Sequence, residues 1–222
     1  MQQGPSSTPS PSHEEVAGEG PLPLLSQHTT PDIAPRLAPL FHVVLHEPEI
    51  PNNTGNIGRT CVATRCALHL IYPLGFDTSE KACRRAGLDY WPRLGVNEHQ
   101  SFDAFSAHFQ QVPAQTTMQE PVPAAARANS RARRMWMLTT HATRSVFDAD
   151  FQPGDALVFG KESAGLPRDL VAQHADTAIV LPMAHNERSL NLATAVCAVV
   201  YEGIRQLIAQ SVIKLDARGR IM

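Results

Sequence analysis

The segment from Ile179 to Leu207 constrains the fold more than any other part of the chain. Ile179-Val180-Leu181 is a short apolar run of the kind that forms a buried strand. Pro182, which has no backbone N–H, stops it. A polar loop follows, Ala184 to Arg188. Leu192, Val196, Val199, Val200, Ile204 and Leu207 then recur at helical spacing, which predicts a helix packed on a core. Ser189 stands at the expected N-cap. A strand, a tight polar loop and a helix start in succession collect free backbone N–H groups at one place, which suits a ligand site. The same residues also suit an ordinary buried crossover with a serine cap.

Four more apolar runs have strand length: Leu40–His46, Ala67–Tyr72, Met135–Thr139 and Asp155–Phe159. Leu94–Val96 is a shorter candidate. Helical patterns stand between them. Asn53 or Thr54 is placed to cap a helix carrying Asn56, Ile57, Arg59, Thr60 and Cys61. Asp77-Thr78-Ser79-Glu80 is a capping-box pattern for a short helix ending at Gly87. Phe102, Phe105 and Phe109 form a helix face. Strands alternating with helices predict an α/β fold, a mainly parallel sheet with helices on both faces. Ligands in such sheets sit at the carboxyl ends of strands, here the regions of Thr139, Gly160 and Leu181. Gly160-Lys161-Glu162-Ser163-Ala164-Gly165 has the glycine spacing of a phosphate loop, but Leu166-Pro167 replaces the required Lys-Ser/Thr. A dinucleotide fingerprint after the first strand is also missing.

With 222 residues and 43% hydrophobic content, the chain suits one domain with a substantial core. Residues 1–39 are rich in Pro, Ser, Gln and Gly and read as a disordered tail. The domain is expected over 40–212. Inside it, 110–133 looks like a long loop or insertion ending in Arg127, Arg131, Arg133 and Arg134, which either touch RNA or form a solvated tether. The tail 213–222 is expected to fray. No run approaches the ~20 apolar residues of a membrane helix, and no secretory signal is read. The 4 cysteines, Cys61, Cys66, Cys83 and Cys197, form no Cys-x-x-Cys pair, so reduced thiols in a cytoplasm are expected and a metal site is not. Net charge is −2; residues 1–40 hold four acidic residues against Arg36, which leaves +1 for the rest. That balance neither identifies nor excludes a nucleic-acid binder. Lys81, Arg84 and Arg85 share one helix face, for RNA phosphates or for solvent alone. Tyr90 and Trp91 are either a base-stacking pair or a buried one.

Three stretches carry a family resemblance: Glu47-Pro-Glu-Ile-Pro-Asn-Asn-Thr-Gly-Asn-Ile-Gly-Arg59, Phe159-Gly-Lys-Glu-Ser-Ala-Gly-Leu-Pro167, and the opening segment through Ser189-Leu190-Asn191-Leu192. In this order they resemble the motifs of the SPOUT RNA 2′-O-ribose methyltransferases. With Arg84-Arg-Ala-Gly-Leu-Asp-Tyr90, the chain looks most like the small tRNA wobble-nucleotide enzymes of that family. The resemblance covers roughly residues 41–110 and 134–210. It implies a C-terminal deep trefoil knot (the α/β knot), S-adenosyl-L-methionine as cofactor, a tRNA substrate, a homodimer and no metal. It places cofactor binding on Leu138, Gly160, Leu181 and Ser189, with Thr139, Thr140, Met183, Leu190 and Asn191 beside them. Glu162 is expected to order its loop, and Arg59 to be the catalytic residue. Arg84, Arg85 and Tyr90 are the candidate RNA contacts. The dimer face is expected along Ala193, Ala195 and Ala198. Ribosomal RNA as substrate, and a non-catalytic RNA-binding dimer, are the alternatives. Gly58 and Arg65-Cys66 depart from the family pattern.

Overall fold

The computed structural model describes residue 1 and residues 38–78, 90–111 and 131–222. Among these, β1 (His42–His46), β2 (Ala67–Ile71), β3 (Val96–His99), β4 (Met135–Leu138), β5 (Ala156–Phe159) and β6 (Ala178–Ile179) form one sheet. Its order is β3-β2-β1-β5-β4-β6, and every pairing is parallel. The helices are α1 (Pro51–Thr64), α2 (Phe102–Gln111), α3 (Arg168–Gln173) and α4 (Leu192–Ala209). Every residue of β1 and β5 is buried, because helices cover both faces of a parallel sheet. On one face Val43, Leu45, Leu68, Trp136 and Leu157 meet Ile57 and Cys61 of α1 and Val196, Val199 and Leu207 of α4. On the other, Val44, Met137 and Val158 meet Phe105 and Phe109 of α2 and Leu170 and Val171 of α3. Successive strand residues alternate between the two cores, as the pleat requires.

Several boundaries differ from the sequence reading. β6 is two residues long; Val180 only bridges Ser145, and Leu181 has left the sheet. β3 starts where the short candidate ends and runs through Asn97, Glu98 and His99. It is an edge strand with Glu98 exposed, so its apolar signal is weak. α1 begins at Pro51, with Ile50 as a residue that offers no side-chain cap, so Asn53 and Thr54 lie inside it. α4 is capped by Asn191, whose side-chain oxygen accepts from Thr194 N at 3.2 Å; Ser189 stands two residues too early. The C-terminal segment forms a small turn against the body. Ile213 is buried, and Leu215 bridges Ile221 around a turn held by the Asp216 carboxylate. α4 has a mean hydropathy of 1.4 over 18 residues; one face of it packs on the core, and Glu202 and Gln206 are buried there too, while Tyr201 and Ile208 are exposed. The capping-box helix and Cys83 fall outside the described residues, as do residues 112–130 and the tail as far as 37.

Of the arginines that close the insertion, Arg131 and Arg133 are tied to the body, the Arg134 side chain is 40% exposed, and Arg127 lies outside the described residues. Asp155, fully buried at the start of β5, accepts from the Arg131 guanidinium (2.7 and 3.0 Å), Trp136 Nε1 (2.9 Å), Arg134 N (2.8 Å) and Gln152 N (3.0 Å). Arg133 lies over the Phe109 ring at 4.3 Å. A buried carboxylate needs this many donors, and the chain re-enters the sheet where they stand.

The α2 face also buries a line of histidines. His42 Nδ1 and His69 Nε2 share a hydrogen bond of 2.8 Å, and His69 Nδ1 and His99 Nε2 one of 3.0 Å. Burial lowers His42 from 6.5 to about 4, helped by Arg133 and His108. Burial, with the neighbouring histidines, lowers His69 to about 2. These rings stay neutral in the fold, while the unfolded chain takes up protons near the ordinary value. Stability is therefore present above about 6.5 and is lost as pH falls below it. With both rings counting, the slope approaches about 2.7 kcal/mol per pH unit. Urea unfolding at about pH 7.5 and about pH 5.5 should show a clear fall in midpoint. An unchanged midpoint would mean that the rings protonate in place at no cost.

Candidate active site

The carboxyl ends of β4, β5 and β6 open into a cleft of about 650 Å³, within the range of small-molecule sites. Its walls come from three loops and the start of α4. Leu138, Thr139 and Thr140 leave β4. Gly160 and Glu162 follow β5, and Leu181 and Met183 follow β6. Ser189, Leu190 and Asn191 lead into α4. All of the residues expected at the cofactor therefore line one cleft, although the chain between the first and the last is more than fifty residues long. Ile50, Asn53, Lys161, His141 and Arg188 line it too, and the sequence reading assigned none of the five to the cofactor.

Glu162 explains why α1 needs no cap of its own. Its carboxylate accepts from Glu49 N (2.9 Å), Ile50 N (3.3 Å) and Asn53 Nδ2 (2.9 Å). It thus supplies the acceptor and the negative charge that the first turn of α1 lacks. The tie is reciprocal: Ser163 N and Oγ donate to the Glu49 carboxylate at 2.9 and 2.8 Å and hold its pKa below the ordinary value. Lys161 Nζ reaches Glu47 at 2.8 Å, and that carboxylate raises the ammonium pKa. Asn53 Oδ1 in turn accepts from Asn191 Nδ2 at 2.9 Å. One asparagine therefore joins the first, second and third motifs. Spacing hid this, because it placed Asn53 as a cap for its own helix.

Gly160 has no room for a side chain. A Cβ there would lie 2.0 Å from Gly165 C and 2.1 Å from Leu166 N. The loop closes tightly on itself, with Gly165 N donating to Lys161 O at 2.8 Å and Gly165 at φ +71°.

Asn191 does two jobs, capping α4 and holding Asn53, whereas Ser189 is exposed on the cleft wall. Asn191→Ala should lower the melting temperature and weaken cofactor binding, losing about 1–2 kcal/mol of stability. Ser189→Ala should leave the melting temperature unchanged, because it is not the cap. Equal thermal shifts for the two variants in scanning calorimetry would contradict this assignment.

Arg59 is exposed on α1 and is not among the residues that line the cleft. Its guanidinium lies over the Tyr90 ring, 4.8 Å from the centroid. Tyr90 is 3% exposed and its hydroxyl donates to Gly55 O, so it is the buried aromatic of the two readings; a base cannot stack on it. Arg84 and Arg85 lie outside the described residues. Among the described residues no cluster of three or more His, Cys, Asp or Glu is arranged to hold a metal.

The chain is similar to known proteins in sequence and in fold. A protein from Acidovorax sp. (strain JS42) named tRNA (cytidine(34)-2′-O)-methyltransferase is 44% identical over 168 residues, 75% of this chain and 92% of that protein. A solved structure described as giving insights into the 2-OH methylation of C/U34 on tRNA superposes with a TM-score of 0.61 at 40% identity, covering 76% of this chain and 97% of that one. The SpoU methyltransferase AviRb from Streptomyces viridochromogenes, solved with AdoMet, shares the fold with a TM-score of 0.59 at 24% identity, over 80% of this chain and 61% of that one. Residues 40–201 match the SpoU rRNA Methylase family, and the chain belongs to that family.

Proposed function

We propose that this chain transfers the methyl group of S-adenosylmethionine to the ribose 2′-hydroxyl of tRNA nucleotide 34, a cytidine or uridine. The observation that carries the reading is the cleft itself. Three loops at the strand ends bring Leu138, Gly160, Leu181 and Ser189 to one wall, and Glu162 locks that wall to α1. The names of relatives at about 40% identity support the substrate. The cleft fits the cofactor in size and in its mix of apolar side chains and polar loop groups. When bound, S-adenosylmethionine supplies an electrophilic methyl on a sulfonium, so no metal is needed. The three loops with Leu138, Gly160, Leu181 and Ser189 would hold the donor and shield it from water. Arg59 holds the phosphate beside the target nucleotide and stabilises the alkoxide that develops. A guanidinium keeps its proton and is a poor base, so the phosphate assists removal of the proton.

Arg59 stands outside the cleft wall of its own chain, which favours a site shared between two chains of a cytoplasmic homodimer. The outer face of α4 suits such a contact. Of the three alanines expected there, Ala193 packs on the core and Ala195 lines the cleft, while Ala198 is exposed together with Tyr201 and Ile208 at i, i+3 and i+10, with Tyr201 53% exposed. The C-terminal segment that carries Ser189 and Asn191 is proposed to thread the family's trefoil knot. Mixing Arg59→Ala chains with Ser189→Ala/Asn191→Ala chains should restore activity in heterodimers. A fully active monomer in sedimentation would overturn the shared site.

The deciding experiment is methyl transfer from labelled cofactor to bulk tRNA and to ribosomal RNA, with mapping of the modified nucleotide. A 2′-O-methyl at position 34 is expected. Labelling of ribosomal RNA alone would move the substrate, and cofactor binding without any transfer would make the chain a non-catalytic RNA binder.

A further inference from the structure

We infer that Tyr90 is the positioning residue for Arg59, an inference that rests on the proposed methyl transfer. An exposed arginine on a helix is a long, freely rotating side chain, and holding it in one geometry costs rotamer entropy. Here the guanidinium carbon sits 4.8 Å from the Tyr90 ring centroid, within cation–π range. The ring itself is fixed. It is 3% exposed, and its hydroxyl donates to Gly55 O. In an α-helix that same carbonyl accepts the N–H of Arg59, four residues on. Tyr90 therefore grips the Arg59 turn at its backbone and at its charged tip.

Gly58 is what lets the ring come so close. A Cβ there would lie 2.8 Å from Leu94 Cδ2, 3.2 Å from Trp91 Cζ3 and 3.3 Å from Tyr90 Cε2. The departure from the family pattern at Gly58 is thus matched by bulk on the facing segment, Trp91 and Leu94. Tyr90 presents one ring face to Arg59 and is otherwise buried. A fixed, electron-rich face beside the guanidinium pre-organises the cation before RNA arrives.

The test uses the full chain and single-turnover methyl transfer to tRNA, with cofactor affinity by calorimetry. Tyr90→Leu, which removes the aromatic face, should slow transfer about tenfold while cofactor affinity holds. Tyr90→Phe, which keeps the face, should recover most of that loss. In an Arg59→Ala background Tyr90→Leu should slow transfer no further, because the residue it positions is gone. An equal slowing in both backgrounds would make Tyr90 merely structural, as would a Phe variant as slow as Leu. A normal rate in Tyr90→Leu would also overturn the inference. The wild-type protein gives an independent readout: ring current should shift the Arg59 Nε–H resonance upfield, and a random-coil position would place the guanidinium elsewhere, whether or not the variants fold. Absence of transfer by the wild type would count against the methyltransferase reading instead, and this resonance would still judge the contact.

Discussion

Arg59→Ala is expected to slow single-turnover methyl transfer by about 10²–10³-fold, the usual consequence of removing one charge-stabilising donor from a reacting centre. Cofactor affinity should hold, because Arg59 does not line the cofactor cleft. The melting temperature should barely move, because the side chain is exposed and gives up one contact with Tyr90. Arg59→Lys should recover little of the rate. A lysine keeps the charge but presents no planar fork to a phosphate and no planar face to the tyrosine ring. Calorimetry and rapid-quench kinetics together decide the matter. A variant within a few-fold of wild type in rate, or one that loses cofactor binding in step with rate, removes Arg59 from the chemistry.

The other large effect belongs to Gly160. An alanine Cβ at 2.0 Å from Gly165 C has no rotamer to escape through, and its neighbours are backbone atoms of the same loop. The loop must open, and opening it draws Glu162 away from Glu49, Ile50 and Asn53. Gly160→Ala should therefore lose cofactor binding outright and destabilise the chain by several kcal/mol, on the order of an overpacked core position with its hydrogen bonds broken. Gly165→Ala is the control. It meets nothing within 4 Å, and its cost is the positive φ of +71°, about 1–2 kcal/mol. If both variants bind cofactor alike, the closeness of the loop at Gly160 is not what shapes the cleft.

The sequence alone determined the local features. Apolar runs and their Pro and Gly stops located five of the six described strands to within a residue or two, because a strand buried on both faces must be apolar throughout, whereas the edge strand β3 was met only at Val96. Helical spacing located α4, and three motif stretches named the loops that now line one cleft. Tertiary structure alone decided what each polar side chain in those loops touches. α1 takes its N-terminal acceptor from Glu162, and Asn53 binds Asn191, partners more than a hundred residues apart. Tyr90 is buried against Gly55, Arg131 is spent on Asp155, and three histidines on neighbouring strands share hydrogen bonds. Propensity and spacing act through the backbone over a few residues. A hydrogen bond across the sheet depends on which strand ends the parallel order brings within about 3 Å, and that order exists only once the chain has folded.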